Sequence, residues 1–488
     1  MASPSPKLLA TLLAALALAA CGGGGGDSGS IAPPPPPDDG GDTGGIDRSG
    51  IFVLGSISGF GSVIVDGVSF DTSAATIEVD DEPATEADLK TGEIVFVAGE
   101  IDDDGNATAA TVATDDLLRG PIGSIDLVAG TFVVLGQTVK VEVDTAFDDS
   151  VPNNAIDGLS VDQAVRVDGF LSPDGRIIAT RVERDDGDDL QVVGVVGNLD
   201  DSALTFTIGA LLIDYSAATF EDFDGADLAD GQVVEVEGNA LNAGGELPAT
   251  KVERITDDLG ADDDDLAEIE GIVTAVISGD EFEVNGIAVG TDGATVYEGG
   301  GPADIVEGAR VEVDAVAQAG GTLLATKVEF EPEKVVEIEA TVEAVNAAAG
   351  TLQTLGITVA IEDGTRLEDD SDLDLRRFSL ADISVGDFVE IGGSESGTSE
   401  ATAVLLKRDD DGDDGVKLQA RVQSVGEPDF TLLGVTVRTN GETEFEDGDT
   451  EITAAEFFAN AVGRIVDVEG TWDGSVLTAD EVEFEVED

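Results

Sequence analysis

Gly231-Gln-Val-Val-Glu-Val-Glu-Gly238, followed by Ala249-Thr-Lys-Val-Glu253, is the pattern from which the rest of the chain can be read. Val234 and Val236 alternate with Glu235 and Glu237, so the stretch is a strand with valines toward a core and acids toward solvent. Val311 and Val313 repeat this against Glu312 and Asp314, as do Val466 and Val468 against Asp467 and Glu469. The second piece returns as Ala179-Thr-Arg-Val182 and Ala325-Thr-Lys-Val328, entered through glycine turns such as Asp174-Gly175, Gly244-Gly245 and Gly320-Gly321.

Upstream of this pair, a glycine stands between two short alternating stretches at Gly67, Gly136, Gly209, Gly286, Gly356 and Gly434, a period of about seventy residues. Phe282-Glu-Val284 before Gly286 and Ile287-Ala-Val289 after it read as a tight hairpin. An Asp-Leu-x-x-Gly step follows, as in Asp88-Leu89 to Gly92 and Asp227-Leu228 to Gly231; an acid able to cap one helical turn and a glycine able to end it suit a one-turn connector. With an opening strand such as Ile269 to Val276, each unit has about five strands.

The expected fold is therefore all-β: six tandem small five-stranded, OB-like β-barrels, against the alternative of an open meander. Bare edges on strands one and five would invite aggregation, which favours closure. Expected boundaries are 51–118, 119–189, 190–265, 266–334, 335–415 and 416–488 for units one to six. The fifth unit carries an insertion at Arg366 to Ser379, and the sixth one at Glu451 to Val462, whose Ala454-Ala-Glu-Phe-Phe-Ala459 reads as a longer helix. Acidic joints at Asp185 to Asp189, Asp257 to Asp265 and Asp409 to Gly415 favour separated beads on a string.

The chain has 488 residues and a formal charge of −81, from 23 basic and 104 acidic side chains. That field repels phosphates and anionic lipid heads, so nucleic acid is excluded as a partner; the plain reading is a solvated surface, the sharper one a reservoir for divalent cations. Histidine is absent, which removes His-based triads and imidazole metal sites. One cysteine, Cys21, allows no intrachain disulfide.

Residues 1–20 carry one charge, Lys7, and an apolar run from Leu8 to Ala20 too short to span a bilayer: a signal peptide. Its end, Leu18-Ala19-Ala20-Cys21, resembles the lipobox of bacterial lipoproteins, and the resemblance implies that Cys21 becomes the lipid-bearing first residue. A lipidated cysteine would hold the protein on a membrane without a transmembrane helix. Gly22, rather than Asp, follows; in Gram-negative lipoproteins this implies the outer membrane. Residues 21–50 then form a Gly- and Pro-rich tether, with Gly22 to Gly26 and Pro33 to Pro37, expected to be disordered.

The lipobox followed by repeated Gly-x-x-Val-x-Val-x-Gly and Ala-Thr-Lys-Val-Glu units resembles bacterial proteins built from the uncharacterised domain DUF5666, from Ile51 to about Glu487. The first unit departs from the pattern, with Phe96 and Ala98 where others place acids, and the sixth has Thr478-Ala-Asp-Glu-Val482. The resemblance brings no catalytic residues with it.

Carboxylate pairs are abundant, but none stands in a distinct apolar setting, so a glycosidase-like pair is not singled out. Asp370, Asp372 and Asp374 alternate like EF-hand ligands, yet Leu375 and Ala381 occupy the places of the required glycine and glutamate. Asp409, Asp411 and Asp413 are weak candidates for binding Ca²⁺; no other cofactor is expected. Trp472, Tyr215 and Tyr297, scattered over three units, read as core or rim rather than as sugar platforms, and Gly55 to Gly61 as a strand with a turn rather than a phosphate loop. The expected protein is thus a non-catalytic, lipid-anchored cell-envelope lipoprotein presenting an acidic array of β-domains for structural or interaction roles, its protein or surface partner open. A calcium-responsive adhesive or ligand-binding module is the first alternative and an acid-pair hydrolase the second.

Overall fold

The strand alternation read from the sequence is realised. In Arg310–Ala317, Val311 and Val313 are fully buried while Glu312 and Asp314 face outward. A computed structural model describes residues 48–485, apart from 103–104, 149, 186, 188, 224–226, 256–258, 260, 262, 319–321, 410–414 and 449. The signal peptide, Leu18, Ala19, Ala20, Cys21 and nearly all of the tether lie outside the described residues, as do Asp411 and Asp413.

The protein is mostly all-β, built on closed five-strand cores with extra strands. In unit three the strands are Leu190–Asp200, Thr205–Ile208, Leu211–Asp214, Val233–Gly238 and Leu247–Arg254. The first three pair antiparallel in succession, the third runs parallel to the fifth, the fifth antiparallel to the fourth, and the fourth returns antiparallel to the first. A short extra strand, Thr219–Glu221, lies parallel to the fifth. The same circuit runs through unit one, unit two, unit four and unit six. It runs through unit five as well, where the opening strand is interrupted between Thr341 and Ala344. Closure leaves each core without a bare edge on its first or fifth strand.

The repeated glycines have two separate jobs. Those of the hairpin sit with positive φ in two-residue turns such as Asp66-Gly67, where a side chain would be strained. The glycine ending Val-x-Val-x-Gly marks a bulge between strands four and five; a Cβ on Gly470 would stand 2.1 Å from the Thr478 carbonyl. The one-turn connectors appear as 3₁₀ turns at Glu86–Asp88, Pro302–Asp304 and Leu380–Asp382. Their acid does not precede the turn as expected. It is the third residue, and its carboxylate accepts the backbone N–H of the residue before the turn, from Thr85 to Asp88 and from Ser379 to Asp382. The sixth-unit insertion forms the helix Ala454–Asn460, capped by Thr453 and Glu456, with Phe457 driven into the core.

Beads on a string is overturned. Opening strands join the units in pairs: unit two to unit three antiparallel, with Leu118 opposite Val192, and unit five to unit six antiparallel, with Ile338 opposite Leu418. Unit one skips its neighbour and joins unit four in parallel, Ile51 opposite Leu266 and Leu54 opposite Ile269. Apolar cores continue across these joints. One cluster spans units two and three, another units five and six, and a third gathers Leu54, Ile94 and Phe96 of unit one, Phe170 and Ile178 of unit two, and the core of unit four. Burying apolar strand faces outweighs like-charge repulsion at acidic joints that salt screens.

Candidate functional site

Unit one is the hub, and its acidic turns reach over its neighbours. Asp80 accepts from Arg119 at 2.5 Å and from Arg166 at 3.2 Å in unit two. Asp81 lies 3.5 Å from Lys251 Nζ of unit three, whose ammonium also meets Glu235 at 3.3 Å and Glu253 at 3.0 Å. Thr91 donates to Glu368 of unit five at 2.7 Å, and its carbonyl accepts from Arg181 of unit two at 2.9 Å. Arg376, in the fifth-unit insertion, covers the Phe60 ring at 3.8 Å and donates to the Leu89 carbonyl. Several of the scarce cations of this acidic chain are thus gathered in its seams.

These contacts correct the reading of the organising stretch. Val234 and Val236 do enter the core, but Glu235 is only 1% exposed, sealed in the seam with Lys251 and Gln191 rather than turned to solvent. Phe96, at 2% exposure, explains the departure of unit one: its outer face is apolar because units two and four cover it.

A second seam joins units one, two, four and five around Arg310 and Lys334. Arg310 contacts Glu142 at 2.5 Å, Glu331 at 3.2 Å and Glu270 at 3.7 Å; Lys334 contacts Asp144 at 2.6 Å and Glu331 at 2.9 Å. Ser56 of unit one donates its N–H and hydroxyl to Glu270. Burial alone would raise the Asp144 carboxyl, but Lys334, Arg310 and Arg366 outweigh it and hold it well below the usual range. Elsewhere burial wins. It pushes Glu93 up to about 8, against the Lys90 N–H and Arg181, and Asp116 to about 7 with help from Asp80. Buried carboxyls with shifted affinities thus exist, contrary to the sequence reading, and Asp116 is ion-paired in a seam with Arg119.

Two groups of three carboxylates could hold a divalent ion such as Ca²⁺, each offering oxygens within 4.8 Å of one another: Asp66 with Glu268 and Glu312, and Glu446 with Glu481 and Glu483. In the first, the Asp66 hairpin turn of unit one rests on strands one and four of unit four. Burial first, then their neighbouring acids, raises Asp66 well above its ordinary value, Glu268 to about 8 and Glu312 to about 7. In the second, burial and surrounding acids raise Glu483 to about 7.

Asp409 ends the strand Glu400–Asp409, opposite Phe388, and belongs to neither group. Asp370, first of the alternating acids, accepts from Asn154 of unit two at 2.7 Å. Tyr215, Tyr297 and Trp472 pack against the three larger cores, and Trp472 donates to Glu343 at 2.9 Å. Residues from Gly55 to Phe60 are strand, as expected. The sequence did not single out Asp66, Glu268 or Glu312. The one available signal was an acid at a hairpin position filled by Leu135, Asn285, Leu355 and Leu433 in other units.

A cleft of about 430 Å³ lies where units two, three and four meet, lined by Phe170, Pro173, Val193, Val195 and Asn285 among others. Among the described residues, no helix is long and apolar enough to cross a membrane. The domain of unknown function DUF5666 matches the chain at residues 53–113, 119–183, 193–253, 270–329, 339–404 and 419–483. No curated protein matches it.

Proposed function

Because the chain belongs to the DUF5666 family, over more than half of its length, we propose that it is a non-catalytic cell-envelope lipoprotein in which each of the six matched segments is one OB-like barrel of an acidic interaction array. The observation that carries this reading is the use made of the buried carboxylates. Glu235, Glu253, Asp116 and Asp144 are spent on Lys and Arg in the seams that hold units together, rather than facing one another across an apolar cleft. Such a body presents a wide, like-charged exterior, which suits binding of cations or basic partner surfaces.

The leader supports placement. Leu18-Ala19-Ala20-Cys21 resembles a lipobox, and Gly22 after it fits the outer membrane of a Gram-negative bacterium, with the tether up to residue 50 giving reach. Metabolic labelling with palmitate tests the anchor: label is expected on the wild type and lost in Cys21→Ala, and label that persists in the variant overturns it. Cross-linking on whole cells followed by isolation of the lipidated protein tests the array role. Turnover of a glycan or peptide by the purified protein would instead favour the acid-pair hydrolase.

A further inference from the structure

Unit one docks an acidic turn on the same face of two different units, and the two docks meet the incoming acid differently: in unit three it lies against the lysine, in unit four against two further carboxylates. In unit three that face carries Gln191, Glu235 and Lys251, next to the ladder pair Val192 and Val236 and to Val252. Asp81 settles there 3.5 Å from Lys251, while Gln191 donates to Glu235 at 3.2 Å. In unit four the corresponding ladder positions, beside Ile269, Val313 and Val328, are Glu268, Glu312 and Lys327. The neutral donor has become a third acid, and the incoming turn supplies Asp66. The ammonium of Lys327 is shared among Glu329 at 2.9 Å, Glu312 at 3.6 Å and Asp314 at 3.7 Å.

Asp66 is the decisive residue. It lies half-buried against the unit-four face, its Oδ2 is sealed from solvent, and among the described residues that oxygen has no hydrogen-bond partner. Its carboxylate lies within 4.8 Å of those of Glu268 and Glu312. A sealed carboxylate oxygen without a partner beside two other carboxylates is costly, and the hydrogen bond that Gln191 gives Glu235 in unit three has no counterpart on Glu268 or Glu312 among the described residues. We propose that Asp66, Glu268 and Glu312 form a divalent-cation site of the calcium class that staples unit one to unit four. Three carboxylates supply up to six hard oxygens without nitrogen or sulfur, the donor set that Ca²⁺ accepts in irregular geometry and Mg²⁺ accepts less readily. The staple would sit beside the parallel strand joint from Ile51 to Leu54, so the ion would hold the hub of the molecule to its partner barrel. The site is independent of the lipid anchor and of what the array binds.

Calorimetric titration of the full chain with CaCl₂, in about 150 mM KCl to screen diffuse binding to the acidic surface, tests this. The wild type is expected to bind one Ca²⁺ more tightly than the remainder, and Asp66→Asn with Glu268→Gln to weaken that site by at least about tenfold. Glu446→Gln with Glu483→Gln, at the other acidic group, is expected to leave it unchanged. Calcium should raise the melting temperature of the wild type and not that of the Asp66 variant; Glu312→Gln alone replaces the double variant if its circular dichroism shows it unfolded. Without calcium, Asp66→Asn should melt at or above the wild type, because it removes a repulsion. Identical isotherms for wild type and the Asp66/Glu268 variant, or no binding up to about 1 mM Ca²⁺, overturns the site and leaves a proton-sharing carboxyl cluster.

Discussion

Glu481 occupies in unit six the ladder position that Lys251 occupies in unit three: Lys251 stands opposite Glu237 and one residue before Val252, and Glu481 stands opposite Glu469 and one residue before Val482. Where Lys251 gathers Glu235, Glu237 and Glu253, Glu481 adds a further acid to Glu446 and Glu483. Glu481→Lys is expected to stabilise the protein by about 0.2–1 kcal/mol. Urea denaturation reads the gain, which should shrink in about 1 M salt. A loss of stability at low salt would show that these acids do not repel one another.

Lys334 has the opposite standing. It lies between unit four and unit five, buried with Asp144 and Glu331. Lys334→Ala leaves both carboxylates with one partner fewer and is expected to cost about 3–5 kcal/mol. Denaturant titration checks the size, and a cost no larger than that of an exposed lysine would contradict a sealed seam.

Phe457 sits between Phe430, Phe445 and Phe484, with ring centroids 5.0 to 5.2 Å away, and is fully buried. Truncating it empties the core beneath the only α-helix among the described residues. Phe457→Ala is expected to cost about 3–5 kcal/mol, and Thr453→Ala, which removes the helix cap, about 1 kcal/mol. Thermal melts of the two variants should rank in that order.

Stability should fall as the solution becomes basic, the reverse of ordinary acid denaturation. Burial holds the Glu93 carboxyl up at about 8, against an ordinary value of 4.5, so between these the folded protein binds more protons than the unfolded chain. The stabilisation is complete below about pH 4.5 and is lost as pH rises toward 8. The groups around Glu93 are the Lys90 N–H, Arg181, Glu183, Asp116, Asp168 and Arg376. Glu93→Gln keeps an acceptor for that N–H and removes the charge. It is expected to flatten the fall by about one proton, about 1.4 kcal/mol per pH unit. A wild type whose stability rises from pH 5 to pH 8, or an unaltered slope in the variant, would refute it.

The repeat was legible because its signals are local. Alternation of valine and acid in Val311 to Asp314, glycine at a positive-φ turn such as Gly67, and the run from Ala454 to Ala459 each report on a few neighbouring residues. The candidate cation site was not legible, because Asp66 and Glu312 lie far apart in the chain and meet only when one unit covers another. The same blindness made Glu235 look solvated. A strand with one acidic face reads identically whether that face meets water or another unit.

The sequence by itself determined the strands, the repeat length, the closing glycines, the net charge and the absence of histidine chemistry, since composition and short-range periodicity are written in the chain. Which opening strands pair was decided by the tertiary structure alone. Unit one passes over unit two to join unit four, and Phe96 hinted that its face was covered without saying by what. That choice follows from how apolar strand faces and a few lysines and arginines can be shared among many acids. It is a balance of burial against charge that exists only once the units meet, and it places Asp66 on Glu268 and Glu312.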